Sequence, residues 1–116
     1  MANSAAKHPV FALRLAQARK RAGLTQAELG VKAGLDPAVA SPRINQYERG
    51  KHEPQLATAK RLAKALNVPA AFLYAEDELL AKLLFRWNEL SLPERKALLK
   101  QAEQALGGAG RAKTSR

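Results

Sequence analysis

The chain of 116 residues contains no cysteine, which excludes both disulfide bonds and zinc sites with thiolate ligands. The absence of cysteine fits the reducing cytoplasm, where we expect the protein to stay. No apolar run approaches the roughly 20 residues needed to span a bilayer. Residues 1–8 hold no apolar segment of signal-peptide length. These absences predict a cytoplasmic protein with no membrane partner.

Side chains and motifs typical of catalytic sites are also scarce. There are only two histidines, His8 and His52, and there is no G-x-S-x-G nucleophile motif. The glycines at 107–110 follow a predicted helix and precede none, so they indicate a linker and not a phosphate-binding loop. We therefore expect a protein that is not an enzyme and needs no cofactor or metal.

Positive charge is abundant and unevenly placed. The net charge is +10, from 20 Lys and Arg against 10 Asp and Glu. Residues 1–75 contribute +8 of it, residues 76–106 contribute −1, and the last ten residues contribute +3. A positive field concentrated in one block favours a polyanion as partner, and nucleic acid is the most common one. Basic residues kept only for solubility are the alternative.

Apolar residues recur at helical spacing, with no convincing strand alternation, and the sequence therefore predicts an all-α fold. Helices are expected over about 9–22, 25–33, 41–49, 55–66, a short segment from 69, 77–90 and 91–106. The inward side chains predicted for the first and fourth helices are Phe11, Leu15, Ala18, Ala22, Leu56, Ala59, Leu62, Ala63 and Leu66. The sixth helix is strongly apolar, with Leu79, Leu80, Leu83, Leu84, Trp87 and Leu90.

Helix starts are marked by capping residues. Thr25 with Glu28, and Ser91 with Glu94, are spaced as capping boxes. The third helix has two candidate starts, because Asp36-Pro37 and Ser41-Pro42 each look like an N-cap followed by a first helical residue. We place the start at Ser41, and a short helix from Pro37 leading into it is the alternative.

Four segments follow from this pattern. Residues 1–8 are expected to form a disordered arm, and residues 9–75 a compact unit of five helices. Residues 76–106 are expected to form a helical hairpin. The glycines that follow it predict a flexible basic tail over 107–116.

Several motifs agree in order and spacing between Val10 and Tyr74. They are TQAELG at 25–30, a glycine turn, INQYERGKHEP at 44–54 and LAKALNVP at 62–69. In this combination the chain resembles the Xre/Cro-repressor family of helix-turn-helix transcriptional regulators. The resemblance implies a five-helix lambda-repressor-like domain whose third helix enters the major groove of double-stranded operator DNA.

The resemblance also implies roles for individual residues. The positions that match DNA-binding positions of the family are Thr25, Gln26, Ser41, Arg43, Asn45, Gln46, Arg49 and Lys51. Gln26 would reach a phosphate; Arg43 would suit guanine, and Asn45 or Gln46 adenine. Arg49 and Lys51 would contact phosphates. Ile44 and Tyr47 would point inward.

Glu48 matches a family acid that pairs with an arginine of the first helix, here Arg19. Each polar residue of the predicted interface also fits an ordinary solvated helix face, and Arg19 with Glu48 fits an ordinary surface pair. No role is assigned to His52, which also fits a plain polar turn.

The spacing before the third helix departs from the family. Ile44 follows Gly34 by ten residues, so roughly four residues are inserted before the recognition helix. An extra N-terminal turn on that helix would change its approach to the groove. This affects the roles of Ser41 and Arg43 more than that of Gln46.

The expected function is that of a sequence-specific transcriptional repressor associated with the nucleoid. Because a helix-turn-helix unit of 65 residues already has a complete core, the predicted hairpin needs another surface to cover. We expect a homodimer through residues 76–106, and folding back onto the same domain is the alternative. Two rival functions stay open: an antitoxin that binds its toxin through these helices, and a non-specific architectural DNA binder.

Overall fold

A computed structural model describes residues 9–107 of the chain. Within them the fold is six α-helices and one 3₁₀ helix, with no strand, which confirms the all-α prediction. The elements are α1 (Pro9–Arg21), α2 (Gln26–Lys32), α3 (Pro37–Glu48), α4 (Leu56–Ala65), η1 (Ala70–Tyr74), α5 (Glu78–Trp87) and α6 (Leu92–Ala105). The predictions of an arm over 1–8 and of a tail beyond Gly107 lie outside the described residues.

The helix-turn-helix consists of α2 and α3. The Thr25 hydroxyl accepts a hydrogen bond from the Glu28 backbone N–H (3.0 Å), and the Thr25 N–H donates to the Glu28 carboxylate (2.8 Å). The capping box predicted at the start of α2 is therefore present, and the one at Ser91 and Glu94 is present at α6. After α2 the chain turns through Gly34, whose φ of +94° strains any residue with a Cβ.

The placement of the α3 start at Ser41 is wrong: α3 begins at Pro37. The Asp36 carboxylate accepts from the Ala38 N–H at 2.8 Å and caps the helix. Ser41 and Pro42 lie inside α3. Pro42 has no N–H to donate to the Ala38 carbonyl, but Ala38 is exposed, so water can satisfy that carbonyl. The inserted residues thus form an extra N-terminal turn of the helix.

The core lies between α1, α2, α3, α4 and η1. Three of the four residues predicted to line α1 are buried, namely Phe11, Leu15 and Ala18, but Ala22 is exposed because α1 ends before it. In α4 the prediction is confirmed for Ala59, Leu62, Ala63 and Leu66. The prediction is wrong for Leu56, which is the first residue of α4 and is more than half exposed.

One charged residue lies in this core. Arg14 of α1 is 2% exposed, and its Nε donates to the Ala75 carbonyl at 2.8 Å. Its other nitrogens donate to the Gln17 side chain, the Glu76 carbonyl and the Glu78 carboxylate. Arg14 therefore ties α1 to the segment between η1 and α5, and the hydrogen bonds offset the cost of burying its charge.

Helix α5 packs on the domain through one face only. Ala81 is buried, and the Phe85 ring lies 5.5 Å from the Phe72 ring of η1. On the other face Leu79, Leu80 and Leu83 are exposed, with Leu79 at 79%.

Helix α6 continues away from the domain. It has no buried residue, and it does not pack along α5 or any other helix. Arg95 alone reaches back across the turn, donating to the Trp87 carbonyl at 3.2 Å. The described chain is accordingly elongated, 54 × 39 × 22 Å. Of the hairpin predicted over residues 76–106, both helices are present: α5 packs on its own domain through one face, and α6 does not pack on it. No helix within residues 9–107 is long and apolar enough to cross a membrane.

The contact between α2 and α3 generates a testable prediction at Gly30. A Cβ at Gly30 would lie 2.6 Å from the Ala40 Cβ. Gly→Ala inside a helix ordinarily stabilises by about 1 kcal/mol, but this clash is expected to reverse the sign. Gly30→Ala should lower the free energy of unfolding by about 1–3 kcal/mol, measured by urea denaturation.

The double variant Gly30→Ala/Ala40→Gly serves as the control, since it removes one of the clashing methyl groups. It should be less destabilised than the sum of the two single variants. An increase in stability for Gly30→Ala would contradict the close approach of the two helices.

Candidate nucleic-acid interface

Helix α3 has a buried face and an exposed face. Ala40, Ile44 and Tyr47 are buried against α1 and α2, which confirms the inward positions predicted for Ile44 and Tyr47. At 100° per residue, the opposite face is centred on Pro42 and Arg49, with Asn45 and Gln46 about 50° to either side. The exposed face therefore presents two amide side chains that flank a proline and an arginine.

Arg43 and Asn45 lie on opposite flanks of this exposed face. By the same helical geometry they are separated by about 160° around α3, with Gln46 between them. Arg43 is exposed, whereas Asn45 and Gln46 are half-buried. The three side chains predicted to read bases are thus spread across the width of the helix.

A groove of about 520 Å³ runs beside the Arg43 flank. Arg43, Gln46 and Tyr47 form one wall, and the segment before α4 together with the first turn of α4 forms the other, with His52, Pro54 and Thr58 among its residues. The groove brings Arg43 and Gln46 together but includes none of the other predicted interface residues. A plain polar turn was the alternative for His52; Pro54, two residues later, is buried, so this segment is packed against the domain.

Glu48, at the end of α3, holds this helix against α1. The Arg19 guanidinium donates to both carboxylate oxygens of Glu48, Nε at 2.6 Å and Nη2 at 3.1 Å, and it also donates to the Leu24 carbonyl at 2.8 Å. The Arg19 and Glu48 side chains are only 13% and 8% exposed. The predicted pair is therefore present and is not a surface pair. Its hydrogen bond raises the pKa of Arg19 above the ordinary value, despite an opposing effect of burial.

Gln26 joins the same cluster. Its Nε2 donates to the Glu48 carboxylate at 3.1 Å, linking the first turn of α2 to the last turn of α3. The side chain is half-buried. Gln26 therefore orients Glu48 in this structure, and its backbone N–H, in the first turn of a helix, has no partner within that helix.

The remaining predicted residues lie around α3. Thr25 is exposed, and its hydroxyl is used by the capping box. Ser41 is half-buried in the middle of α3. Arg49 caps the C-terminus of α3, and Lys51 follows it, with its backbone N–H bonded to the Gln46 carbonyl at 2.9 Å. Both cationic side chains are exposed at one end of α3.

Nothing within residues 9–107 resembles a metal site, since no three His, Asp or Glu side chains are placed to hold an ion. What the described surface offers is hydrogen-bonding side chains and cations on and beside an exposed helix. A helix presented in this way, with a second helix packed across it, is the arrangement that inserts into the major groove of DNA. The fold and this surface define a helix-turn-helix protein.

Comparison with known proteins agrees with this assignment to the helix-turn-helix class. The model of the helix-turn-helix family matches residues 15–73, and the chain belongs to this family. The resemblance to Xre/Cro-type regulators is thereby confirmed. Among solved structures, the chain is similar to the crystal structure of transcriptional regulator BswR, with 42% identity and a TM-score of 0.75. That match covers 82% of this chain and 94% of the other. Comparison with curated proteins gives no match.

The Glu48 cluster generates a second prediction. Glu48→Gln leaves the Arg19 charge largely buried without its counter-charge, which should cost about 2–4 kcal/mol of stability. The matched control is Glu89→Gln, which removes the carboxylate of an exposed pair with Arg86 at 3.1 Å and should cost less than about 1 kcal/mol. Urea denaturation of both variants measures the difference. Equal small losses would show that the Arg19–Glu48 pair does not hold α3 in place.

Proposed function

We propose that the protein is a sequence-specific regulator of transcription that binds operator DNA as a homodimer, with α3 in the major groove. The observation that carries this proposal is the exposed face of α3, where Gln46 lies between Arg43 and Asn45. Operator binding alone can exclude a polymerase from a promoter. Repression therefore requires no activity beyond DNA binding, and we propose that the protein is a repressor.

Gln46 is proposed as the central base-reading residue. It lies on the exposed side of α3 between Arg43 and Asn45, and its amide carries the donor and acceptor that match adenine in the major groove. Arg43 and Asn45 would read bases on either side of it. Ser41 is half-buried, so its proposed contact is peripheral.

Phosphate contacts are proposed for the cations at the end of α3 and for the start of α2. Arg49 and Lys51 are exposed with no ion pair among the described residues. Gln26 would contribute mainly through its backbone N–H, since its side chain is engaged by Glu48. Both the hydroxyl and the backbone N–H of Thr25 are engaged by the capping box, so its proposed contact is peripheral. Such contacts fix the position of the protein on the duplex and carry no sequence information.

The homodimer is proposed to form through leucines of α5 and α6. Leu92, Leu99 and Leu106 repeat every seven residues from the start of α6 to its C-cap, so they lie on one face of the helix. Together with Leu79, Leu80 and Leu83 they are between 41% and 79% exposed. We call these six residues the leucine surface.

The size of the leucine surface bears on the strength of association. Burying what is exposed of each side chain contributes about 1 kcal/mol, so two copies would contribute roughly 12 kcal/mol. This is comparable to the cost of association, about 4–15 kcal/mol. The dimer is then stable only if most of the leucine surface is covered, and one charged substitution should break it.

The base-reading role is tested with DNA selected from a random pool by the wild-type protein. Gln46→Ala should weaken binding to the selected sequence by about 1–3 kcal/mol and relax the preference at one base position. Lys51→Ala, the comparison variant, should weaken all duplexes about equally, because its contact is to phosphate. If Gln46→Ala lowers binding to selected and scrambled DNA by the same factor, Gln46 does not read bases.

The dimer is tested by Leu99→Glu. The Leu99 side chain is exposed in the single chain, so the variant should fold normally but become monomeric in analytical ultracentrifugation and bind the full operator more weakly. Gln101→Glu adds the same charge to the exposed surface of α6 and should remain dimeric. A wild-type protein that is monomeric at micromolar concentration would contradict the homodimer and favour a different partner, such as the toxin of the antitoxin alternative.

A further inference from the structure

A second cavity, which shares no residue with the groove beside α3, lies between α1 and α5. Its volume is about 530 Å³, within the range of small-molecule sites. Residues of α1 form one wall, residues of α5 form the other, and Phe72 of η1 lies between them. We call it the α1–α5 cleft. Nothing in the proposed operator contacts uses it.

The lining of the cleft is strongly basic. Five cationic side chains meet there, namely Arg14, Lys20, Arg21, Lys82 and Arg86, against the single carboxylate of Glu78. Charges of one sign that line a concavity focus the electrostatic potential within it. An anion would therefore be concentrated in the cleft.

Most of this charge is not neutralised by the protein. Lys20 and Lys82 are exposed and make no ion pair within the described part of the chain. Arg21 lies over the Phe85 ring, 4.7 Å from its centroid, which leaves its charge uncompensated. Arg86 pairs with Glu89, but both side chains are more than half exposed, so the pair is weak.

Apolar surface also lines the cleft. Phe72 and Ala81 are buried and Phe85 is half-buried, with the two rings 5.5 Å apart. Arg14 holds this wall in place, because its hydrogen bonds to Ala75 and Glu76 join α1 to the start of α5. An apolar floor beneath a cationic rim suits a ligand that has an apolar body and a negative charge.

We propose that the α1–α5 cleft binds a small organic anion with an aromatic or otherwise apolar body, such as a carboxylate or a phosphate ester. The apolar body would lie against Phe85 beside the Arg21 guanidinium that contacts its ring, and the anionic group would be held by Lys20 and Lys82. Duplex DNA does not fit this description, because its phosphates lie on a convex surface and have no apolar group to place against the phenylalanines.

The probe for this proposal is 2-naphthoate, which combines a carboxylate with an aromatic body. In an NMR titration of the full chain it should bind saturably and shift the amide signals of α1 and α5 around the cleft. The uncharged analogue 2-naphthamide and inorganic phosphate should each bind much more weakly, since one lacks the charge and the other lacks the apolar body. Saturating 2-naphthoate should also raise the melting temperature, because it binds only the folded protein.

The variant Lys20→Gln/Lys82→Gln removes two exposed charges from the rim and should weaken 2-naphthoate binding about tenfold. The variant Lys64→Gln/Lys100→Gln removes two exposed lysines that line neither cavity, and it should bind like the wild type. Circular dichroism confirms that both variants fold.

Four results would overturn the proposal. In the first, the Lys20→Gln/Lys82→Gln variant binds 2-naphthoate as tightly as the wild type does. In the second and third, 2-naphthamide or inorganic phosphate binds the wild type as tightly as 2-naphthoate does. In the fourth, the NMR shifts caused by 2-naphthoate are confined to the leucine surface. Displacement of 2-naphthoate by duplex DNA would instead make the cleft a DNA contact. None of these measurements uses operator binding as a readout, so their outcome is independent of whether the proposed function is correct.

Discussion

The carboxylate of Glu48 is shared between the guanidinium of Arg19 and the side-chain amide of Gln26, and the position of α3 depends on this shared contact. Three helices meet at one acidic group: α1 through Arg19, α2 through Gln26 and α3 through Glu48 itself. Because the cluster is largely buried, each hydrogen bond is protected from competing water. The exposed face of α3 is thereby held at a defined angle to the rest of the domain. The cluster also accounts for Gln26, whose side chain acts first as a structural link.

The extra turn of α3 is the second constraint on the interface. With Asp36 as its cap, α3 carries Pro42 inside the helix and on its exposed face. A proline side chain has no donor or acceptor, so in the proposed complex hydrogen-bonding readout would rest on Gln46 and its neighbours. The close contact between Gly30 and Ala40 allows the added turn to pack against α2. The insertion thus changes which residues lie on the exposed face of α3 without changing the architecture.

Features decided by neighbouring residues were predictable from the sequence, whereas distant contacts were predictable only where the family resemblance implied them, as for Arg19 and Glu48. The capping boxes at Thr25 and Ser91 depend on residues three apart, and both are present. The start of α3 was misplaced because Asp36-Pro37 and Ser41-Pro42 carry the same local signal, and only the burial of Ala40 against α2 separates them. Arg14 was missed because its partners Ala75 and Glu76 are more than 60 residues away. The α1–α5 cleft depends on the same distant packing, and the exposure of Leu79 depends on which face of α5 meets the domain.

The positively charged residues 1–75 and the leucine surface would have complementary roles, the first in binding DNA and the second in joining two copies of the chain. A single α3 reads only a few base pairs, whereas two copies joined through α5 and α6 would read two related half-sites. The most direct test is to select bound sequences from a random pool of duplex DNA with the full-length protein. The account predicts an inverted repeat whose half-sites lie about one helical turn, roughly 10 base pairs, apart or a multiple of it. Recovery of a single asymmetric motif, or of no enriched sequence, would contradict operator reading by a homodimer.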